Sequence, residues 1–400
     1  MAAPGAKLLQ ALQYVVIGAA IVHFLPRRFL FFLCAGAVML VVSLVMGQEK
    51  ILYHPTVPPD IKTIADNPVG YRSPKEHGIA HEDVWLEASD GVRTHAWFMP
   101  ADGAAAARAA PTLVFAHENA GNIGLRMPEY KELRRELGPV NLLAYDYRGY
   151  GNSADAEICE EGLMRDARAA WAWVEKAARA GRLDGARVLL FGRSLGGAVT
   201  IQLAAELSDD ARDADAAGGS AAAPPLRPAA VLVSNTFTSI EDMACVLYPW
   251  LAPLLGLGFV RRHLLRLRWR SVDHVRRVRF PIGFVRGLSD ELVPAEQTLV
   301  LRDNAARAAS TALHSVPDGS HNDTWLKGGA DYWRFVRGFI AQHAPSGERA
   351  PTAAPPTIPP RAELEAMRVS DLRTLARARG IDIAGLPERR DIVAAVDAAR

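Results

Sequence analysis

The sequence predicts an α/β fold, a mostly parallel sheet with helices on both faces, and three observations carry that prediction. Short continuous apolar runs recur between helix-periodic segments from Thr112 to Pro317, and runs of that kind are strands buried on both faces. Their alternation with helices implies crossover connections and hence parallel neighbours. Four hundred residues, half of them apolar, can bury the core such a sheet needs.

The elements follow in chain order. The stretch "AHEDVWLEASDGVRTHAWFMP" (80–100) reads as two half-buried strands around the turn Ser89-Asp90-Gly91, an antiparallel hairpin for the sheet edge. Strands are then expected at 112–116, 141–146, 187–192, 230–235, 282–287 and 311–317. Helices are expected near 126–137, near 160–180, from 194 onward and over 331–343. Two inserts interrupt the pattern. Residues 208–228, "SDDARDADAAGGSAAAPPLRP", are small, polar and rich in Pro and Gly, which suits a flexible surface loop. Residues 240–280 contain "MACVLYPWLAPLLGLGFVRRHLLRLRW", apolar and helical, either a lid over a pocket or a packing helix.

The ends differ from this body (51–343). Phe29 to Gly47, "FLFFLCAGAVMLVVSLVMG", is free of charge over nineteen residues, long enough to cross a bilayer as a helix. Residues 1–50 are therefore expected to be a membrane anchor, with Ala11–Leu25 either a second span or an interfacial helix. If Arg27 and Arg28 stay cytoplasmic, the catalytic body lies on the other side of the membrane. Residues 344–361, "APSGERAPTAAPPTIPPR", form an extended Pro/Ala linker. Beyond it, 362–400 gives two short amphipathic helices, one capped by Ser370 or Asp371 and ended by Gly380. Leu372, Leu375, Ile381, Ile383, Leu386, Ile392 and Val396 would form a small core there.

Charge and cysteines narrow the function classes. With 46 basic and 44 acidic residues the net charge is +2, so no global field calls for nucleic acid or an acidic partner. Cys34, Cys159 and Cys245 are odd in number and far apart, which argues against a disulfide framework and a cysteine zinc site.

The chemistry gathers at strand ends. In "VLLFGRSLGGAVT", Ser194 lies between Gly192-Arg193 and Leu195-Gly196, a G-x-S-x-G between a strand and a helix. The glycines permit the strained turn that lifts a serine hydroxyl to the top of a sheet; the simpler reading is a serine that caps a helix. A serine nucleophile needs a base, and the base an orienting acid. In a doubly wound sheet these should follow in the order acid, then histidine. "RGLSDELVP" places Asp290 after the next-to-last strand, with Glu291 as rival, and "VPDGSHNDTW" places His321 after the last, with Asp323 as a second nearby acid. In "LVFAHENAGNIG" (113–124), a strand runs into His117-Glu118-Asn119 and a glycine-spaced loop. No lysine follows those glycines, as a phosphate cradle would need, and the loop suits an oxyanion hole built from the Asn119 and Leu195 backbone amides. This chemistry requires no metal or organic cofactor.

The series "ILYHP", "HENAGNIG", "LLAYDYRGYGNS", "FGRSLGGAV", "SNTFTSI", "GLSDELVP" and "PDGSHNDTW" resembles the bud-emergence group of alpha/beta-hydrolase domain-containing proteins, over roughly Ile51 to His343. The resemblance implies an alpha/beta-hydrolase fold, a single-span membrane serine hydrolase and a triad of Ser194, Asp290 and His321. It also implies hydrolysis of esters or thioesters, with protein S-acyl groups or lipids as candidate substrates. One departure stands out: the group's usual His-Gly-Asn is His117-Glu118-Asn119 here. A side chain there would strain an unusual backbone, and a nearby carboxylate would oppose a developing oxyanion. A catalytically silent scaffold is the alternative reading. The tail resembles a SAP-type helix–loop–helix. Eight arginines against seven acids between Arg361 and Arg400 make it a protein-docking module rather than a DNA binder.

Overall fold

Gly91, at φ 79°, makes the turn expected at Ser89-Asp90-Gly91, and the chain on either side of it starts the sheet. The computed structural model describes residues 27–216, 225–345, 359–367, 369–378 and 388–398. Helices α1 (Arg27–Met46) and α2 (Gln48–Leu52) precede the hairpin strands β1 (Glu82–Glu87) and β2 (Arg93–Met99). Then α3 (Ala104–Ala109), β3 (Thr112–Ala116), α4 (Met127–Leu137), β4 (Asn141–Tyr145), α5 (Glu160–Arg179), β5 (Val188–Arg193), α6 (Leu195–Ala216) and β6 (Ala230–Ser234) alternate. Short helices α7 (Ile240–Leu247), α8 (Ala252–Leu255), α9 (Gly258–His263) and α10 (Ser271–Val275) lead to β7 (Ile282–Gly287). The body ends with α11 (Ala295–Asn304), β8 (Thr311–Val316), α12 (Thr324–Lys327) and α13 (Gly329–His343). Helices α14 (Arg361–Ala366), α15 (Val369–Ala378) and α16 (Arg389–Ala398) belong to the tail.

The eight strands form one sheet in the order β1-β2-β4-β3-β5-β6-β7-β8. The hairpin pairs antiparallel at one edge, and every pair from β4 to β8 is parallel. Side chains on a strand alternate between faces, so each central strand feeds two cores. Leu113 and Phe115 of β3 join Tyr130 of α4 and Trp333 of α13. Val114 and Ala116 join Trp171 and Val174 of α5 and Val199 of α6 on the other face. Burial on both faces explains why these strands read as unbroken apolar runs.

Two expectations need correction. Residues 208–216 are not a loop but the end of α6. Ser208 is buried and donates to the Ala204 carbonyl at 2.7 Å, and Asp209 accepts from Arg277 at 3.0 Å, so packing holds a polar stretch helical. Residues 217–224 of the same insert lie outside those described. The span expected at 29–47 falls on α1, yet among the described residues no helix is long and apolar enough to cross a membrane. The last turns of α1 lie against the body, where Val41, Leu44 and Val45 line a cavity. The apolar run 11–25 and residues 346–358 of the linker lie outside the described residues. In the tail, Leu364, Leu372, Leu375, Ala376, Ile392, Val393 and Val396 form a buried cluster. Ile381, Ile383, Leu386 and Gly380 lie outside the described residues.

Arg148, just past β4, ties the hairpin turn to α5. Its guanidinium donates to Asp90 at 2.7 and 3.1 Å and to fully buried Asp166 at 2.8 Å. Removing it would leave Asp166 charged, buried and unpaired. Arg148→Ala is therefore expected to lower unfolding free energy by about 3–5 kcal/mol, read from the urea midpoint.

Candidate active site

The strand ends converge. Loops after β3, β5, β6, β7 and β8 bring Asn119, Ser194, Asn235, Asp290 and His321 to the carboxyl edge of the parallel strands, where open α/β sheets place their ligands. Ser194 sits in the turn between β5 and α6 with φ 53°, in the left-handed region that non-glycine residues avoid. The flanking glycines are required by close approach: a Cβ on Gly192 would meet the Gly196 carbonyl at 2.1 Å, and one on Gly196 would meet the Ala116 carbonyl at 2.0 Å. Ser194 is held by its amide, which donates to the Ser234 carbonyl at 2.9 Å, and by its carbonyl, which accepts from the Thr236 hydroxyl at 2.8 Å. It is not a simple helix cap.

The three residues expected to cooperate are brought together. His321 Nδ1 lies 2.9 and 3.1 Å from the two Asp290 carboxylate oxygens, and Nε2 lies 2.9 Å from Ser194 Oγ. A carboxylate can only accept, so Nδ1 carries the proton and Nε2 is left to accept from the serine hydroxyl. Burial alone would raise the Asp290 carboxyl. The His321 contact and the Val293 and Leu292 amides, which donate at 2.8 and 2.9 Å, outweigh burial and hold it below the usual carboxylate range. The rival acids have other partners: Glu291 accepts from the His321 backbone amide at 3.1 Å, while Asp323 accepts from the Ser320 amide at 2.8 Å and pairs with Lys327 at 2.9 Å.

Asn235 carries a role that sequence reasoning did not assign. At φ 49°, its side-chain amide donates to Asp290 at 2.7 Å, Thr324 Oγ1 at 3.0 Å and the Ser320 carbonyl at 3.2 Å. One residue thus fixes both the acid loop and the histidine loop. The signal was present in "SNTFTSI", a polar tripeptide ending a buried strand.

Glu118 differs from expectation. Its backbone is not among the positive-φ residues, so its side chain imposes no left-handed strain. The carboxylate is buried and ion-paired to Arg126 and Arg193, and Arg193 also donates to buried Glu129 at 2.8 Å. Burial pushes Glu129 up to about 8 and Arg193 down to about 10, so each charge depends on the opposite one beside it. Two carboxylates facing two guanidiniums present no net negative charge to an oxyanion. Asn119 lies next to this network, its side-chain amide donating to the Leu52 carbonyl at 2.8 Å and its carbonyl accepting from Tyr150 and His54. Leu195 begins α6, where the first amides have no partner within the helix.

These groups open on a cavity of about 850 Å³ lined by Ser194, Leu195, Asn119 and His321 and otherwise mainly by apolar side chains. The stretch read as lid or packing helix supplies much of that lining, from Ile240 to Leu267. Among the described residues, no group of His, Cys, Asp and Glu is arranged to hold a metal ion.

Relatives agree with the fold. The chain is 33% identical over 334 residues to the alpha/beta hydrolase domain-containing protein WAV2 of Arabidopsis thaliana, covering 81% of this chain and 97% of that one. The chain belongs to the alpha/beta-hydrolase family. It is 30% identical to bem46 of Schizosaccharomyces pombe over 68% of this chain and 80% of that one, so it falls with the bud-emergence group and is a hydrolase. An esterase of Pyrococcus furiosus shares the fold at a TM-score of 0.51 and 16% identity, covering 70% of this chain and 98% of that one. No family model matches the chain.

Two outcomes follow from this geometry. Glu118→Gly is expected to cost about 3–5 kcal/mol by leaving buried Arg126 without its carboxylate and Arg193 with Glu129 alone, with no gain in turnover, measured by denaturant unfolding beside an ester assay. The second concerns acid. Because the folded state depresses the Asp290 carboxyl, its stabilisation is complete above the ordinary carboxylate range and is lost as pH falls through the lower folded value. Asp290→Asn should therefore flatten the acid limb of a stability–pH curve.

Proposed function

We propose that the protein is a membrane-anchored serine hydrolase that cleaves carboxylic esters or thioesters through an acyl-enzyme. The observation that supports it most is the unbroken hydrogen-bonded chain Ser194–His321–Asp290 at an apolar cavity. In this reading His321 takes the proton from Ser194 as Oγ attacks the carbonyl, and Asp290 stabilises the imidazolium. The Asn119 and Leu195 amides receive the oxyanion. The proton on His321 then passes to the leaving alcohol or thiol, and a water activated the same way releases the acid.

The anchor is α1. Phe31, Phe32 and Met39 are 68, 70 and 72% exposed, and a helix apolar on all sides belongs in a core or a bilayer. S-acylated proteins and acyl lipids are the candidate substrates, and the SAP-like tail is a docking module for a protein partner. The silent-scaffold alternative drew on Glu118, and with that carboxylate paired to two arginines nothing at the site favours it.

A fluorophosphonate probe applied to membranes containing the full chain should label Ser194. Ser194→Ala and His321→Ala should each abolish labelling and lower ester hydrolysis by about 10⁴-fold or more. Full hydrolysis by Ser194→Ala would overturn the reading.

A further inference from the structure

The wall of the cavity around Ser194 comes largely from the two most exposed apolar parts of the chain. Every lining residue supplied by α1 and by the 240–267 stretch is apolar, among them Val41, Leu44, Val45, Leu251, Leu255 and Leu264. The outer sides of the same elements also expose large apolar side chains beside the charged Asp242, Arg262 and Arg266: besides the α1 phenylalanines, Leu257 and Phe259 are 56 and 67% exposed. A wall that is apolar inside and carries large apolar side chains among charges outside is costly in water and suited to the interface of a lipid bilayer.

The two elements meet at a fixed seam. Gln48, at the start of α2, donates to the Leu264 carbonyl at 2.7 Å and accepts from the Arg266 amide at 2.9 Å, and Arg266 pairs with Glu49 at 2.7 Å. Gln48 also lines the cavity, so the seam between α1–α2 and the cap runs along the cavity itself. At about 850 Å³, the space is near the upper end of the roughly 300–1,000 Å³ typical of small-molecule pockets.

We propose that this cavity is an acyl-chain channel entered sideways from the bilayer between α1 and the 240–267 helices, and that the substrate is a membrane-resident lipid bearing a long-chain acyl ester. The proposal rests on the serine-hydrolase reading above and adds the substrate class and its route. Each methylene that must pass through water between the bilayer and the site slows the transfer about fourfold. A path walled by Val41, Leu44 and Val45 on one side and by Leu255 and Leu264 on the other avoids that cost. The carbonyl then halts at the polar residues around Ser194, with the tail lying back toward α1.

The test uses the full-length chain in phosphatidylcholine vesicles with hexadecanoyl and butanoyl esters of the same nitrophenol. The wild type is expected to favour the hexadecanoyl ester in kcat/KM, at a rate that follows its mole fraction in the vesicle rather than its bulk concentration. Leu44→Trp, which fills the channel from α1, should lower the hexadecanoyl-to-butanoyl ratio about tenfold or more. Leu255→Trp, which fills it from the cap, should do the same if the first variant folds poorly. Equal use of both esters by the wild type, or an unchanged ratio in both variants, overturns the channel. Ser194-dependent hydrolysis without a chain-length preference sinks the channel and leaves the hydrolase. If neither ester is hydrolysed but vesicle-borne pyrene-labelled hexadecanoate still binds, and Leu44→Trp weakens that binding, the hydrolase reading falls and the channel stands.

Discussion

The close passage between β5 and α6 is the constraint on which the rest of the site depends. Gly192 and Gly196 let the chain reverse within van der Waals contact of β3, and the reversal forces Ser194 to φ 53°. A residue held there stays only if its surroundings over-determine it. Backbone bonds to Ser234 and Thr236 supply part of that restraint, and the parallel pairing of β5 with both β3 and β6 supplies the rest. Ser194 is therefore positioned by the centre of the sheet, between β3 and β6.

The remaining groups are positioned relative to that fixed point by loops, and loops need their own restraints. Asn235 serves the acid and histidine loops, binding Asp290 and the Ser320 carbonyl with one amide. On the opposite side, Glu118 ties the loop after β3 to Arg193, the residue just before the serine. That ion pair links the loop after β3 to the strand that leads into Ser194, so neither can shift without exposing a buried charge. Such pairs add little net stability over an apolar replacement, yet breaking one is expensive, and the effect is to fix geometry rather than to strengthen the fold.

Much of this was legible in the sequence, and for identifiable reasons. Strands buried on both faces appear as apolar runs, so β3 to β7 were placed to within a residue or two. Ser194, Asp290 and His321 each follow such a run, and the order of the strands made their convergence foreseeable. Reading failed where tertiary contacts override composition. The polar stretch 208–216 is helical because Ser208 and Asp209 have partners on the segment before β7, which no local pattern reveals. The fate of the Glu118 carboxylate depended on Arg126 and Arg193, one eight residues away and the other on a different strand. The role of Asn235 needed three loops in space. Composition revealed that 240–280 was apolar and helical, but only the cavity shows that one of its faces points at the serine.

The N-terminal helix joins the two ends of the argument. In a chain whose anchor were merely a tether, the apolar helix and the catalytic cavity would be separate structures joined by a linker. Here α1 ends against the body with Leu44 and Val45 in the cavity wall, and the bend at Gly47 passes directly into Gln48 and its bonds to the cap. The helix is thus part of the apolar wall of the cavity onto which the serine opens. A dry boundary strengthens the hydrogen bonds that would receive an oxyanion and limits competing hydrolysis. An element read from sequence as an address for the protein is, by its contacts, also one wall of the cavity at Ser194, so trimming the chain at Gly47 would remove Val41, Leu44 and Val45 from that wall.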